Sequence, residues 1–211
     1  GYTMDFEQML ELSQEDFTQA LLAPQSVAEL EFNPLERTLF IPAGTQIDLG
    51  GIVKGWAAHQ TMLRLSRLAP VLVDAGGDIA ISGRMTNGNG WWVGVANPFC
   101  QDTNVALLNA EIGGIATSGR DYRHWKINEI PLHHIIDPRT MRPAETDILT
   151  ATVIADNVMD AETCAKTALI LGSEDGIAWL DLHETYAYLV VLQHGEVKIN
   201  EKFREKQWNP L

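Results

Sequence analysis

The run Val71-Leu72-Val73-Asp74-Ala75-Gly76-Gly77-Asp78-Ile79-Ala80-Ile81-Ser82 decides how this chain folds. Residues 71–73 are a buried strand by composition, Ala75-Gly76-Gly77 stops it, and residues 78–82 resume as strand. Strand follows strand there with only a glycine turn between them. Upstream, residues 52–68 read as an amphipathic helix with Val53, Trp56, Ala57 and Leu63 on one side. Before it come strand-like pieces at 37–41, ended by Pro42, and at 46–49, ended by Gly50-Gly51. Residues 5–30 carry Phe6, Leu10, Phe17, Leu21 and Leu22 at helical intervals broken by Pro24, with Ser13 and Asp16 spaced as a capping box.

Downstream, residues 86–90 are a polar hairpin tip and 91–96 a strand. Further strands are expected at 105–112, 114–117, 131–136 and 148–155, with 120–126 as a loop. Residues 160–171 form a helix whose apolar positions are Ala161, Cys164, Ala165, Ala168, Leu169 and Leu171. The stretches 186–193 and 196–200 flank His194-Gly195 as a closing hairpin. Strands outnumber helices without a regular βαβ beat, which predicts an α+β fold with mixed or antiparallel sheets and packed helices. No repeat, low-complexity tract or linker divides the chain, so one domain over 1–211 is expected.

Composition limits what such a domain does. Hydrophobic residues are 45% and charged residues 20% of 211, enough to bury a core. Lys and Arg number 15 against 28 Asp and Glu, a formal charge of −13 that repels a polyphosphate backbone and argues against nucleic acid as a partner. No apolar run approaches the length of a transmembrane segment. Two cysteines, Cys100 and Cys164, allow at most one disulfide and no zinc ribbon. Gly1-Tyr2-Thr3-Met4 shows no basic n-region and no signal-type apolar core.

Several short blocks carry chemistry. Asp48-Leu49-Gly50-Gly51-Ile52-Val53-Lys54-Gly55 and Asp74-Ala75-Gly76-Gly77-Asp78 are glycine turns beside an Asp, each after a strand. Glycine pairs admit a ligand close to the backbone, and a following helix offers free N–H groups to phosphate, with Lys54 as a neighbouring cation. Neither has the spacing of a P-loop or a dinucleotide fingerprint. Thr117-Ser118-Gly119-Arg120 supplies hydroxyls, and Arg120 and Arg123 add local positive charge. In His133-His134-Ile135-Ile136-Asp137-Pro138-Arg139-Thr140, a histidine in a strand is a candidate base; adjacent strand residues face opposite ways, so one of the two faces any given pocket. Glu162 and Lys166 stand at i,i+4 in the order that favours an ion pair on a helix surface. Each block alone also reads as ordinary structure: a tight turn, a solvated loop, a core histidine, a surface pair.

Taken in order, residues 48–55, 74–78, 116–122 and 134–140, then a strand and an Ala-rich helix ending at Gly172, resemble the ApbE family of FAD:protein FMN transferases over about residues 40–175. The resemblance implies a T-fold-like α+β domain that binds FAD, uses Mg²⁺, moves FMN onto a threonine hydroxyl of a target flavoprotein in a Ser-Gly-Ala-Thr-like segment, and releases AMP. Carried over by motif, Asp48, Gly50 and Lys54 contact FAD. Gly76 and Gly77 line the same cleft, with Thr117, Ser118 and Ile135 nearby. The Gly51 carbonyl and Glu162 face the metal, and His134 takes the proton from the target threonine.

The chain departs from the family pattern in two places. Family members begin well before Tyr2, so an N-terminal portion is expected to be missing. Counting back from Gly172, the family's Asp-x-x-x-Thr falls on Glu162 and Lys166, or after a two-residue slip on Asp160 and Cys164, whose sulfur a hard cation disfavours. A lysine ammonium only donates and repels a cation, so the metal site is expected to be remade or lost, the lysine standing in for one metal charge at the pyrophosphate. The alternatives to a transferase are a catalytically silent FAD-binding relative, an FAD pyrophosphatase, or an unrelated interaction domain. By family analogy the expected place of action is extracytoplasmic, periplasmic or membrane-anchored, with the cytoplasm as the alternative.

Overall fold

The computed structural model describes residues 29–45, 47–100, 102–121, 124–127 and 130–208. The helical intervals read in 5–30, with the Ser13 and Asp16 box, lie outside them apart from residues 29 and 30. The described chain divides into two compact units, one of residues 29–49 and 125–144, the other of 50–124 and 145–208.

Strands β1 (Glu31–Asn33) and β2 (Thr38–Phe40) pair as an antiparallel hairpin of the smaller unit. In chain order there follow α1 (Val53–Leu65), β3 (Leu72–Asp74), β4 (Ile79–Ile81), β5 (Trp91–Ala96), β6 (Asn104–Ala110), β7 (Gly113–Gly119), β8 (His124–Ile127) and β9 (Ile130–His133). The chain continues with β10 (Ile136–Asp137), β11 (Arg142–Pro143), β12 (Ile148–Ala155), α2 (Val158–Asp181), β13 (Ala187–Leu192), β14 (Val197–Ile199) and α3 (Glu201–Lys206). The larger unit is built on a six-stranded sheet in the order β14-β13-β12-β7-β4-β3, antiparallel throughout.

The run at 71–82 forms a tight hairpin, with Asp74 opposite Ile79 and the Ala75 N–H donating to the Asp78 carbonyl at 3.0 Å. Gly76 and Gly77 take φ of 72° and 93°, two successive left-handed residues that side chains with a Cβ resist. Side chains alternate across the sheet. Ile79, Ile81, Ile115, Ile154, Leu189 and Val191 pack against the β5–β6 hairpin and Phe203 of α3. Ala80 and Ala116, one residue out of phase, meet Ala58, Met62, Val158 and Ala161 of the helices. Both faces of β13 are covered, and all six of its residues are buried.

Several expectations need correction. Residues 47–49 form no strand, β8 occupies part of the expected loop at 120–126, and the strand expected at 131–136 breaks after His133. A turn does form at 86–88, but β5 pairs with β6. The apolar side of α1 is reversed: Val53, Trp56, Ala57 and Leu63 are exposed, while Gly55, Ala58 and Met62 are buried. A small residue is required at Gly55 because α1 and α2 approach closely there; a Cβ on it would sit 3.4 Å from the Val158 carbonyl. In α2, by contrast, Ala161, Cys164, Ala165, Ala168 and Leu169 are buried as expected. No helix among the described residues is long and apolar enough to cross a membrane.

Helix α2 is kinked at Gly172, where φ is 85°. Beyond the kink, the Ser173 N–H and Oγ donate to the Asp147 carboxylate at 2.8 and 2.5 Å, so an acid from outside the helix caps its second segment. Burial raises the Asp147 pKa, but the Ser173 bonds, its own N–H and the Lys198 charge together outweigh it and the net shift is downward. A carboxylate held low in the folded state stabilises above its unfolded pKa, and that contribution is lost as pH falls through the folded value. Asp147→Ala is therefore expected to cost about 1–2 kcal/mol at neutral pH. The gap to wild type closes below about pH 4. Urea midpoints across that range check both statements.

Cys100 and Cys164 form no disulfide; Cys100 is exposed and Cys164 buried. Burial, and then the Asp160 charge, push the Cys164 thiol up to about 11. A thiol reagent at neutral pH is expected to modify Cys100 in the native protein and Cys164 only after denaturation. Mass spectrometry of the labelled peptides distinguishes the two.

Candidate functional site

Helix α1 starts at Ile52 with no side chain of its own capping the first turn. Its Trp56 N–H already reaches the Ile52 carbonyl, and the cap for Gly55 comes from the other helix. The Gly55 N–H donates to Glu162 Oε2 at 3.1 Å. Glu162 is only 3% exposed, and a Cβ on Gly55 would lie 2.6 Å from its oxygen, so glycine allows the approach. The carboxylate also gains from the positive end of the α1 dipole. One turn along α2, Lys166 Nζ donates to the Gly51 carbonyl at 2.6 Å and to Glu162 Oε1 at 3.5 Å. The i,i+4 pair read from the sequence forms, as a partly buried bridge between two segments rather than a surface pair.

Lys54, in the first turn of α1, bonds the buried carboxylate of Asp78 at the end of the glycine hairpin. Asp78 lies inside a motif singled out for its turn, and the sequence reading missed its part as the partner of Lys54. Gly76 and Gly77 are exposed, and nothing lies within 4 Å of a Cβ on either. The Gly77 N–H donates to Asp74 Oδ1 at 2.7 Å.

Thr117 and Ser118, grouped at the sequence level, point to opposite faces of the sheet. Thr117 shares the side of Ile115 and meets Thr152 across the strands, hydroxyl to hydroxyl at 2.8 Å. Ser118 is buried on the side of Ala116, which is also the helix side. A single pocket on one face therefore takes one of them. Arg120, read as local positive charge, is a strut: Nε donates to the Ile148 carbonyl at 2.9 Å and Nη2 to Gln193 Oε1 at 2.8 Å. Arg123 lies outside the described residues.

Asp48, His134 and Ile135 belong to the smaller unit. Asp48 is exposed; Gly50, in the larger unit, is exposed too. His133 is buried, its Nδ1 accepting from the Ile135 N–H at 3.3 Å and its Nε2 donating to the Ala144 carbonyl at 3.0 Å. Those two bonds engage both ring nitrogens with the backbone. His134, just past the end of β9, is half-buried and so the more accessible of the pair. Ile135 is buried, and its carbonyl accepts from the Ala144 N–H. Asp137 is engaged by Arg139, whose Nε and Nη2 lie 2.9 and 2.7 Å from its two oxygens. That hydrogen bonding holds its carboxyl below the usual range against the opposing effect of burial.

Gly51 and Glu162, the residues assigned to Mg²⁺ by resemblance, do meet, and they meet around an ammonium. Magnesium needs oxygen ligands at about 2.0–2.1 Å in octahedral array. Here the Gly51 carbonyl is bonded to a donor that carries positive charge and offers no lone pair. No group of three or more His, Cys, Asp or Glu among the described residues is placed to hold a metal. The residues at this point do not fit Mg²⁺.

The sequence pattern of the ApbE family matches residues 2–190. The FAD:protein FMN transferase of Klebsiella pneumoniae (strain 342) is 27% identical over 172 residues, covering 80% of this chain and 52% of that one. The protein of the same name from Treponema pallidum (strain Nichols) is 33% identical over 150 residues, or 65% of this chain and 41% of that one. The crystal structure of the ApbE protein from Thermotoga maritima matches with a TM-score of 0.82 at 28% identity, over 99% of this chain and 68% of its own. The chain spans about half the length of the curated relatives it matches.

Proposed function

The chain belongs to the ApbE family, and from that premise we propose that it acts as an FAD:protein FMN transferase. The observation that carries the reading is the family match over residues 2–190, in a chain whose relatives bear that name. In the proposed reaction a threonine hydroxyl of a Ser-Gly-Ala-Thr-like segment attacks the FMN phosphorus of FAD. A phosphorus–oxygen bond to that hydroxyl forms, the bond to AMP breaks, and AMP leaves with its phosphate. The hydroxyl proton goes to His134, a role supported by the commitment of His133 to two backbone bonds. Phosphoryl transfer rests mainly on positioning and on neutralising phosphate charge. Lys54 reaches Asp78 beside one glycine turn and Lys166 reaches the Gly51 carbonyl in the other, each also held by an acid. At Gly51 and Glu162 the countercharge is the Lys166 ammonium, and the reading places no metal there.

The test mixes the protein with FAD and a target domain carrying Ser-Gly-Ala-Thr, then looks for flavin fluorescence on the denatured target and for AMP. Labelled target supports the transferase; AMP without label makes the protein a pyrophosphatase. Tight FAD with neither product makes it a silent binder, the second reading, which Lys166 in place of a metal-ligating threonine favours. His134→Gly is expected to lower the transfer rate by about 100-fold or more. Transfer at the full rate in that variant removes His134 from the mechanism.

A further inference from the structure

We infer that Lys166 is a built-in cation standing where a divalent metal would sit, so that the Gly51–Glu162 site receives a diphosphate-bearing ligand without Mg²⁺. The placement is specific. Nζ contacts both groups assigned to the metal, the Gly51 carbonyl at 2.6 Å and Glu162 Oε1 at 3.5 Å. Its position is braced from behind, since the buried Glu162 is itself fixed by the Gly55 N–H. The ammonium has three N–H donors and two acceptors in the protein, and the side chain is 27% exposed, so one donor remains for an incoming oxygen. A metal at Gly51 would have to expel Nζ from both bonds and then tolerate a like charge beside it. With Lys166 the site and its carboxylate sum to zero; with Mg²⁺ they would sum to one positive charge. The exchange gives up one unit of attraction for phosphate and removes dependence on free metal.

The choice of FAD as the diphosphate rests on the proposed transferase reading; the exclusion of metal does not. The test therefore has two arms on the full chain. In the first, Mn²⁺ is titrated without flavin and followed by electron paramagnetic resonance. Wild type is expected to bind none at this point, and Lys166→Thr, which restores an oxygen ligand beside Glu162, to gain one Mn²⁺ per chain. One Mn²⁺ bound by wild type and lost in Glu162→Gln overturns the inference, and so does a Lys166→Thr protein that still excludes the ion. In the second arm, FAD is titrated by fluorescence with EDTA or with excess MgCl₂. Wild-type affinity is expected to be the same in both, and Lys166→Met to bind about tenfold more weakly in both. A wild-type gain of about tenfold on adding Mg²⁺ overturns the inference. Unchanged affinity in a folded Lys166→Met protein does the same, because it makes Lys166 a strut only. If wild type binds no FAD in either medium, the transferase reading fails and the Mn²⁺ arm alone decides the role of Lys166.

Discussion

Gly114→Ala is expected to lower the unfolding midpoint further than a methyl group ordinarily does, and Gly114→Val to leave little folded protein. Gly114 lies in β7, between β12 and β4. A Cβ there would fall 2.1 Å from the Val158 nitrogen, 2.2 Å from its Cα and 2.3 Å from the Asn157 carbonyl carbon. All three are backbone atoms, so no rotamer change relieves the clash; the sheet and the start of α2 must separate. Overpacking costs about 1–3 kcal/mol in adaptable cores and more where backbone meets backbone. Against a total stability of about 5–15 kcal/mol, that is a large fraction. The control is Gly76→Ala, where the new Cβ meets nothing and the cost is left-handed strain of about 1–2 kcal/mol. Urea unfolding compares them, and equal losses in the two variants would contradict the packing argument. Lys166 adds a second readout, because α2 carries it toward Gly51: a shifted helix start should also weaken flavin binding.

The same closeness explains what was and was not legible in the sequence. The hairpin at 71–82, the strand Trp91–Ala96, the strand Ile148–Ala155 and the buried side of α2 all follow from local alternation, glycine punctuation and helical spacing. Helix α1 defeats that logic. Its large apolar residues Val53, Trp56 and Leu63 face outward, because the distance to α2 is set by Gly55 and Ala58. Hydrophobic periodicity weighs side chains by transfer energy and carries no information on how near two backbones come.

The candidate site divides along the same line. Glu162 and Lys166 are four apart on a helix and readable as a pair, whereas the Gly51 carbonyl joins them across 115 residues of sequence. The bond from Lys54 to Asp78 spans 24 residues and leaves no local trace. The separation of Thr117 from Ser118, in contrast, is available from strand alternation, and grouping them by their hydroxyls overlooks it. For His133 and His134 alternation allows one choice without saying which. The ring of His133 is engaged by the backbone of Ile135 and Ala144, which leaves His134 the more exposed of the two.

Glu162→Ala is expected to destabilise the protein by about 3 kcal/mol, and Glu162→Gln by roughly half as much. The carboxylate has two bonds to lose. Its Oε2 accepts the Gly55 N–H at the start of α1, and leaving a buried donor unpaired costs about 1–3 kcal/mol. Its Oε1 faces the Lys166 ammonium, which is partly exposed and so recovers some hydration when the acid is removed. Glutamine keeps an acceptor for Gly55 but no charge for Lys166, which places it between alanine and wild type. For a chain of this size, about 3 kcal/mol corresponds to a fall of about 6–12 °C in Tm. Adding Lys166→Met to Glu162→Ala should cost less than the sum of the single changes, since neither charge is then left without its partner. Additive losses would mean that the two side chains act independently, with Lys166 held by Gly51 alone. A Glu162→Gln protein as unstable as Glu162→Ala would instead put the stabilisation in the ion pair and not in the cap on α1. Thermal unfolding of wild type and the four variants, read beside their flavin affinities, separates the part Glu162 plays in holding the two helices together from the part it plays in aiming the ammonium.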